Sequence, residues 1–237
     1  MHLLDNVIWN ALNTAQVHLG AGRGAARKFL PDVSLLGGFA EPSLEAYDSL
    51  ASLLGVGERV GLFLEADSRL PSNWNVVASI PLLQMVHENC NSQAQTDPKL
   101  HLFHQLGEAD VPEMLALTKL TKPGPFATRT REMGDYFGIR KDGALVAMAG
   151  ERLRVPGFTE ISAVCTHPEH VGQGYARRLV TLLLDRIKGR GERAFLHVRE
   201  ENARAVELYE RMGFRKRIVL QYALLAKQPK APQIFTD

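Results

Sequence analysis

The periods of apolar and polar positions divide the chain into short elements. From Val7 to Leu19 the residues Val7, Ile8, Leu12, Ala15 and Leu19 recur at near-helical spacing. They predict one amphipathic helix, broken by the glycine-rich stretch Gly20 to Gly24. Glu41-Pro42-Ser43 opens a second helix through Leu54, with Gly55 and Gly57 as stop signals, and apolar strands follow at Val60 to Leu64 and Trp74 to Leu83. The polar stretch from Glu88 to Pro98 has the composition of a connector. The expected division is therefore a smaller N-terminal helix-and-strand domain over residues 1–98 and a second domain over residues 99–237.

Beyond the connector the pattern predicts a strand at His101 to Leu106 and a helix from Ala109 to about Leu120, with Asp110 as a cap. A Pro- and Gly-rich loop and a short helix near Thr130 to Asp135 come next. Tyr136 to Arg140 and Ala144 to Leu153 form a hairpin about the Lys-Asp-Gly turn at 141 to 143. A strand at Thr159 to Thr166 leads into a helix whose Ala176, Leu179, Val180, Leu183, Leu184 and Ile187 form a core-facing stripe. Gly189 and Gly191 end that helix. Ala194 to Val198 is a strand, Asn202 starts another helix, and Gly213 stops it before a last strand from Phe214. Strands alternating with helices indicate an α/β sandwich.

Charge and cysteine content narrow the partners. Lys plus Arg number 28 and Asp plus Glu 26, a net charge of +2, so no strong field points to nucleic acid or an acidic membrane. Cys90 and Cys165 have no CxxC spacing and no neighbouring His cluster, which argues against a metal site or a disulfide framework and suits a reducing compartment. No apolar run approaches the roughly 20 residues of a membrane helix and no basic leader precedes the first helix, so a cytoplasmic protein is expected.

The candidate chemistry is concentrated between Val164 and Ala176, which read Val-Cys-Thr-His-Pro-Glu-His-Val-Gly-Gln-Gly-Tyr-Ala. A strand passes through a proline into a turn carrying Gly172 and Gly174 and then into a helix. Glycines there permit φ > 0 and close approach, so successive amides at the helix start can face a phosphate. The implied ligand is a phosphorylated cofactor. Arg177 stands where a dinucleotide fingerprint wants its third glycine, and no Gly-Lys-Ser/Thr is present for a nucleoside-triphosphate loop.

The frame Val171 to Ala176 resembles the acetyl-CoA signature of the GNAT acetyltransferases, Arg/Gln-x-x-Gly-x-Gly/Ala, with Val171 where Arg or Gln is usual. Asn202 to Phe214 is similar to a second motif of that family, Asn-x-x-Ala-x-x-Leu-Tyr followed by Gly-Phe. The resemblance covers residues from about 99 to 225 and implies a mixed central sheet flanked by helices. Within the family, the run Glu160 to Pro168 looks like the C-terminal domain of glycine-acyltransferase-like proteins. It further implies acetyl-CoA as acyl donor, with Val164 and Thr166 on the pantetheine arm and the turn Val171, Gly172, Gln173, Gly174, Tyr175 and Ala176, with Asn202, completing the cofactor site.

Tyr209 then corresponds to the general acid that protonates the departing thiolate; at an unperturbed pKa near ~10 its hydroxyl holds a proton at neutral pH. The same resemblance implies Glu160, on the strand entering the turn, as the candidate base or amine-orienting carboxylate, ahead of Glu151, and strand alternation puts it on the face of Ser162 and Val164. His167, His170 and Cys165 are left outside the catalytic set, and no metal is expected. The expected activity is direct acetyl transfer to a primary amine, a small amine or amino acid being favoured, in a chain compatible with a homodimer. A non-catalytic CoA-binding regulatory module and a protein-modifying acetyltransferase are the alternatives, and the acceptor pocket is expected among the loops near Thr121 to Thr130 and in the N-terminal segment.

Overall fold

A computed structural model describes residues 2–65, 68–88 and 103–228. Eleven strands and five α-helices among them build one large mixed sheet with helices on both faces and a small three-stranded sheet beside it. The small sheet comprises β1 (Gly20–Arg23), β2 (Ala26–Phe29) and β3 (Gly37–Phe39) in antiparallel order. The expected helix over 7–19 ends early, as α1 (Val7–Asn13) followed by a 3-10 turn at Val17–Leu19. The expected glycine break is strand β1, turned into β2 through Gly24 at φ 52.

The large sheet has the order β4-β11-β5-β10-β9-β8-β7-β6, formed by β4 (Arg59–Leu64), β5 (Trp74–His87), β6 (Phe103–Gln105), β7 (Tyr136–Lys141), β8 (Ala144–Val155), β9 (Phe158–Thr166), β10 (Arg193–Arg199) and β11 (Phe214–Lys227). The expected division at residue 98 lies outside the described residues. The sheet itself runs across it, because β5 ahead of the division pairs with β10 and β11 behind it. The hairpin β7–β8 turns through Asp142 and Gly143 at φ 49 and 84, the paired left-handed conformation that a tight two-residue loop requires.

β9 and β10 make the sheet's parallel pair, and their registered partners are Arg193 with Phe158, Ala194 with Thr159 and Phe195 with Glu160. Past that point both strands continue without pairing to each other, which opens the sheet. On one face, α4 (Tyr175–Gly189) buries Leu179, Val180, Leu183 and Ile187, and α5 (Ala203–Arg211) adds Val206 and Tyr209 to the same core. On the other face, Leu4 from a 3-10 turn at Leu3–Asn6 and Ile8 and Leu12 from α1 pack with Phe29, Leu153 and Phe195. Beside it α3 (Val111–Thr121) sets Met114 and Leu117 against Tyr136, Met148 and Cys165. α2 (Leu44–Leu53) closes a third cluster through Tyr47 and Leu50 after Ser43 caps it on the Ala46 amide at 3.2 Å.

Candidate active site

The gap between β9 and β10 opens a cleft of about 560 Å³. Val164, Ala205 and Tyr209 line it from the α4 side, where they pack with the first core, while Leu36, Phe63 and Tyr222 line it from the α1 side. The cleft therefore connects the two faces of the sheet. A donor and an acceptor can meet there from opposite directions.

A bulge shapes the α4-side wall. Cys165 stands opposite Met148 but Ser162 stands opposite Gly150, so β9 carries one residue more than β8. Ala163 absorbs it at φ 52, a left-handed conformation that costs an alanine on the order of 1–3 kcal/mol. The extra residue reverses the strand's alternation. Val164 joins the α4-side core, whereas Glu160, registered with Phe195, belongs to the α1 side, so the expected shared face of Glu160 and Val164 does not exist.

Past Thr166 the chain forms a 3-10 turn, Pro168–His170, and reaches Val171, which is exposed and lines the cleft. Gly172 and Gly174 follow at φ 90 and 76, and a Cβ added to either would meet nothing within 4 Å. Glycine is thus required here by backbone conformation, and the space beyond it is open. Arg178 donates the first helical bond, to the Gly174 carbonyl at 3.1 Å, which leaves the amides of Tyr175, Ala176 and Arg177 without intrahelical acceptors at the positive end of a 15-residue helix. This backbone fits a phosphate-bearing donor. The Tyr175 ring contributes nothing polar to it: the ring lies in the core and its hydroxyl donates to Gln173 Oε1 at 2.6 Å.

Asn202 caps α5 by accepting from the Ala205 amide at 3.2 Å, and Asn202, Ala205 and Tyr209 all face the cleft, as one face of the helix predicts. Tyr209 is buried, and desolvation pushes its hydroxyl up to about 12, so it holds its proton throughout the physiological range. Thr166 also lines the cleft. Cys165 lies on the α3 side, and burial raises its thiol to about 11. A thiol so placed is not a nucleophile at neutral pH.

Glu160 is not part of the cleft wall. Its carboxylate is fully buried and accepts from Arg152 Nε at 2.8 Å and Nη2 at 2.7 Å and from the Leu153 amide at 3.2 Å, with His197 Nδ1 at 2.7 Å. Burial alone would raise its pKa, but the Arg152 charge and these bonds overcome that and hold it at about 2. A carboxylate so placed cannot take a proton from an amine near neutrality. Glu151 is likewise buried, in an ion pair with Arg190 at 2.8 Å. Neither His167 nor His170 lines the cleft.

The residues that sequence reasoning missed are those on the α1 side. Arg152 and His197 line the cleft beside Phe63 and Tyr222. Both nitrogens of His197 are held: Gln84 Oε1 accepts from Arg217, its Nε2 group donates to the Leu4 carbonyl and lies 3.1 Å from His197 Nε2, and His197 Nδ1 lies 2.7 Å from Glu160. Phe63 packs against that ring, the centroids 4.5 Å apart and the planes tilted by 48°. Lys122, Pro123 and Pro125, from the loop expected to border the acceptor, do line the cleft.

A mixed sheet split between its parallel strands, with a glycine turn on one side of the split and a buried tyrosine at its centre, defines an acyltransferase fold of the CoA-dependent type. The chain belongs to the GNAT family, whose members are acetyl-CoA-dependent N-acetyltransferases. It is 37% identical to a solved structure assigned to that family from Novosphingobium aromaticivorans, with a TM-score of 0.87 over 97% of this chain and 100% of that one. The FR47-like protein family matches residues 136–223. N-alpha-acetyltransferase RimI of Mycobacterium tuberculosis is 39% identical over 101 residues, a match spanning 40% of this chain and 63% of that relative. A GCN5-related N-acetyltransferase from Kribbella flavida shares the fold, with a TM-score of 0.58 at 19% identity over 94% of this chain and 97% of that one.

Proposed function

We propose that this chain transfers an acetyl group from acetyl-CoA to a primary amine by direct attack, with a small amine or amino acid as acceptor. The observation that carries this reading is the placement of Tyr209 in the cleft that joins the glycine turn to the opposite face of the sheet. Acetyl-CoA, when bound, supplies an activated acyl carbon on a good leaving group. The residues fitted to hold it are the amides at Gly172 to Ala176, the edge of β9 at Val164 and Thr166, and Asn202. Bond making and breaking balance simply. The amine nitrogen forms the new C–N bond as the C–S bond breaks, and the proton that Tyr209 gives to the sulfur is replaced as the nitrogen loses one.

No Asp or Glu is found among the described residues that line the cleft, and both nitrogens of His197 are engaged. The acceptor therefore enters as the free base, its ammonium proton lost to solvent before attack rather than to a carboxylate. Mixing the protein with acetyl-CoA and a panel of amines should release free thiol; absence of CoA binding would overturn the reading. Acceptors like those of glycine-acyltransferase-like proteins agree with the run Glu160 to Pro168. A second reading, acetylation of a protein N-terminus, is favoured by the similarity to N-alpha-acetyltransferase RimI. Acetylation of peptides but not of small amines would select it.

A further inference from the structure

We infer that the acceptor is an amino carboxylate with an apolar side chain, bound through its carboxylate to Arg152. This rests on the acetyltransferase reading and specifies its acceptor. Arg152 lies on the wall of the cleft that the donor turn does not reach, with its side chain 12% exposed. Glu160 engages Nε and Nη2, and among the described residues Nη1 makes no hydrogen bond. A guanidinium offers a planar set of five donors, and those left unmade in a site almost removed from water gain most from an anionic partner. Glu160 holds the plane of the group fixed, so the remaining donors are aimed in advance of binding.

The charge around the cleft selects in the same direction. Lys122, Arg152, Arg199 and Arg204 line it, Arg152 paired with Glu160 and Arg199 3.5 Å from Glu201, and no Asp or Glu lines the cleft among the described residues. An acceptor carrying only an ammonium group finds no carboxylate on the cleft wall to receive it. An acceptor that brings its own carboxylate is drawn in and oriented. Apart from Arg152 and His197 the same wall is largely apolar, through Leu36, Phe63, Ile80, Leu82 and the Tyr222 ring. An aliphatic or aromatic substituent buries itself there, whereas a polar or charged one would lose its hydration.

Three acceptors that share one side chain separate the possibilities: L-leucine, L-leucinamide and 3-methylbutylamine. Thiol release with acetyl-CoA should give leucine a kcat/KM roughly tenfold to a hundredfold above the other two, the span expected for hydrogen bonds to a charged group. Each kcat/KM is referred to the concentration of free base, because the amide's amine is the least basic of the three and 3-methylbutylamine the most. In the double variant Arg152→Gln/Glu160→Gln, which removes both charges together, the preference should vanish, with acetyl-CoA binding measured by calorimetry as the check on folding. Equal kcat/KM for all three in the wild-type protein overturns the carboxylate assignment and leaves the acetyltransferase reading standing. Preference for the amide overturns it in favour of a peptide N-terminus. Turnover on no amine of any kind overturns the acetyltransferase reading itself.

Discussion

Replacing Glu160 by glutamine distinguishes a carboxylate that takes a proton from one that holds an arginine. The carboxylate is fully buried and receives two bonds from Arg152, one from the Leu153 amide and one from His197. Its pKa falls from 4.5 to about 2 on folding, which corresponds to about 3 kcal/mol of stability at neutral pH. The substitution also leaves the Arg152 guanidinium buried without its counter-charge, and breaking such pairs costs about 3–5 kcal/mol. Both figures describe the same interaction, so the expected loss is about 3 kcal/mol, or roughly 6–12 °C in melting temperature for a chain of this size. Because the folded pKa is depressed, this stability is present above the unfolded value of 4.5 and fades as pH falls toward about 2. Urea denaturation of both proteins across the acid range should show the gap between them at full size at neutral pH and narrowing below 4.5. Equal stability at neutral pH, combined with a large fall in turnover, would refute the structural role and restore Glu160 as the base.

The other expectations concern the donor side. Tyr209→Phe should lower kcat by about a hundredfold with acetyl-CoA affinity unchanged, because only the leaving sulfur uses the hydroxyl; unaltered kcat in rapid-mixing assays removes Tyr209 as the acid. Since burial holds that hydroxyl at about 12, kcat/KM for the amine should climb with pH as the acceptor deprotonates and show no enzyme-derived descending limb through the mildly alkaline range, and a limb there would contradict the assignment. Gly174→Val should weaken acetyl-CoA binding at least about tenfold in calorimetry, because a branched side chain at φ 76 strains the turn and occupies the space the phosphates need. Undiminished affinity would show that the turn is not the cradle.

The two ends of the site differ in how far the chain announces them. Gly172 and Gly174 stand out because a left-handed turn ahead of an amphipathic helix needs glycine, and Asn202 stands out because a helix start needs a side-chain acceptor. Arg152 and His197 carry no such mark. An arginine on a strand is ordinary until its neighbours are known, and here the decisive ones are Glu160, 8 residues away, and Gln84, 113 residues from His197. Leu36 and Phe63, which line the cleft from the α1 side, belong to the segment that the polar connector sets apart in sequence but that β5 threads into the middle of the sheet.

By itself the sequence determined what depends on near neighbours: the helix start at Glu41-Pro42-Ser43, the cap at Asn202, the Asp142-Gly143 turn, the α4 stripe and the glycine turn ahead of α4. Each is a matter of backbone conformation or of contacts within about one helical turn. Tertiary structure alone decided the fate of Glu160. The bulge at Ala163 inverts the alternation that put Glu160 beside Val164, and pairing of β9 with β8 and β10 brings Arg152 and His197 to its carboxylate. Burial beside a fixed positive charge turned an expected base into the group that aims an arginine at the cleft.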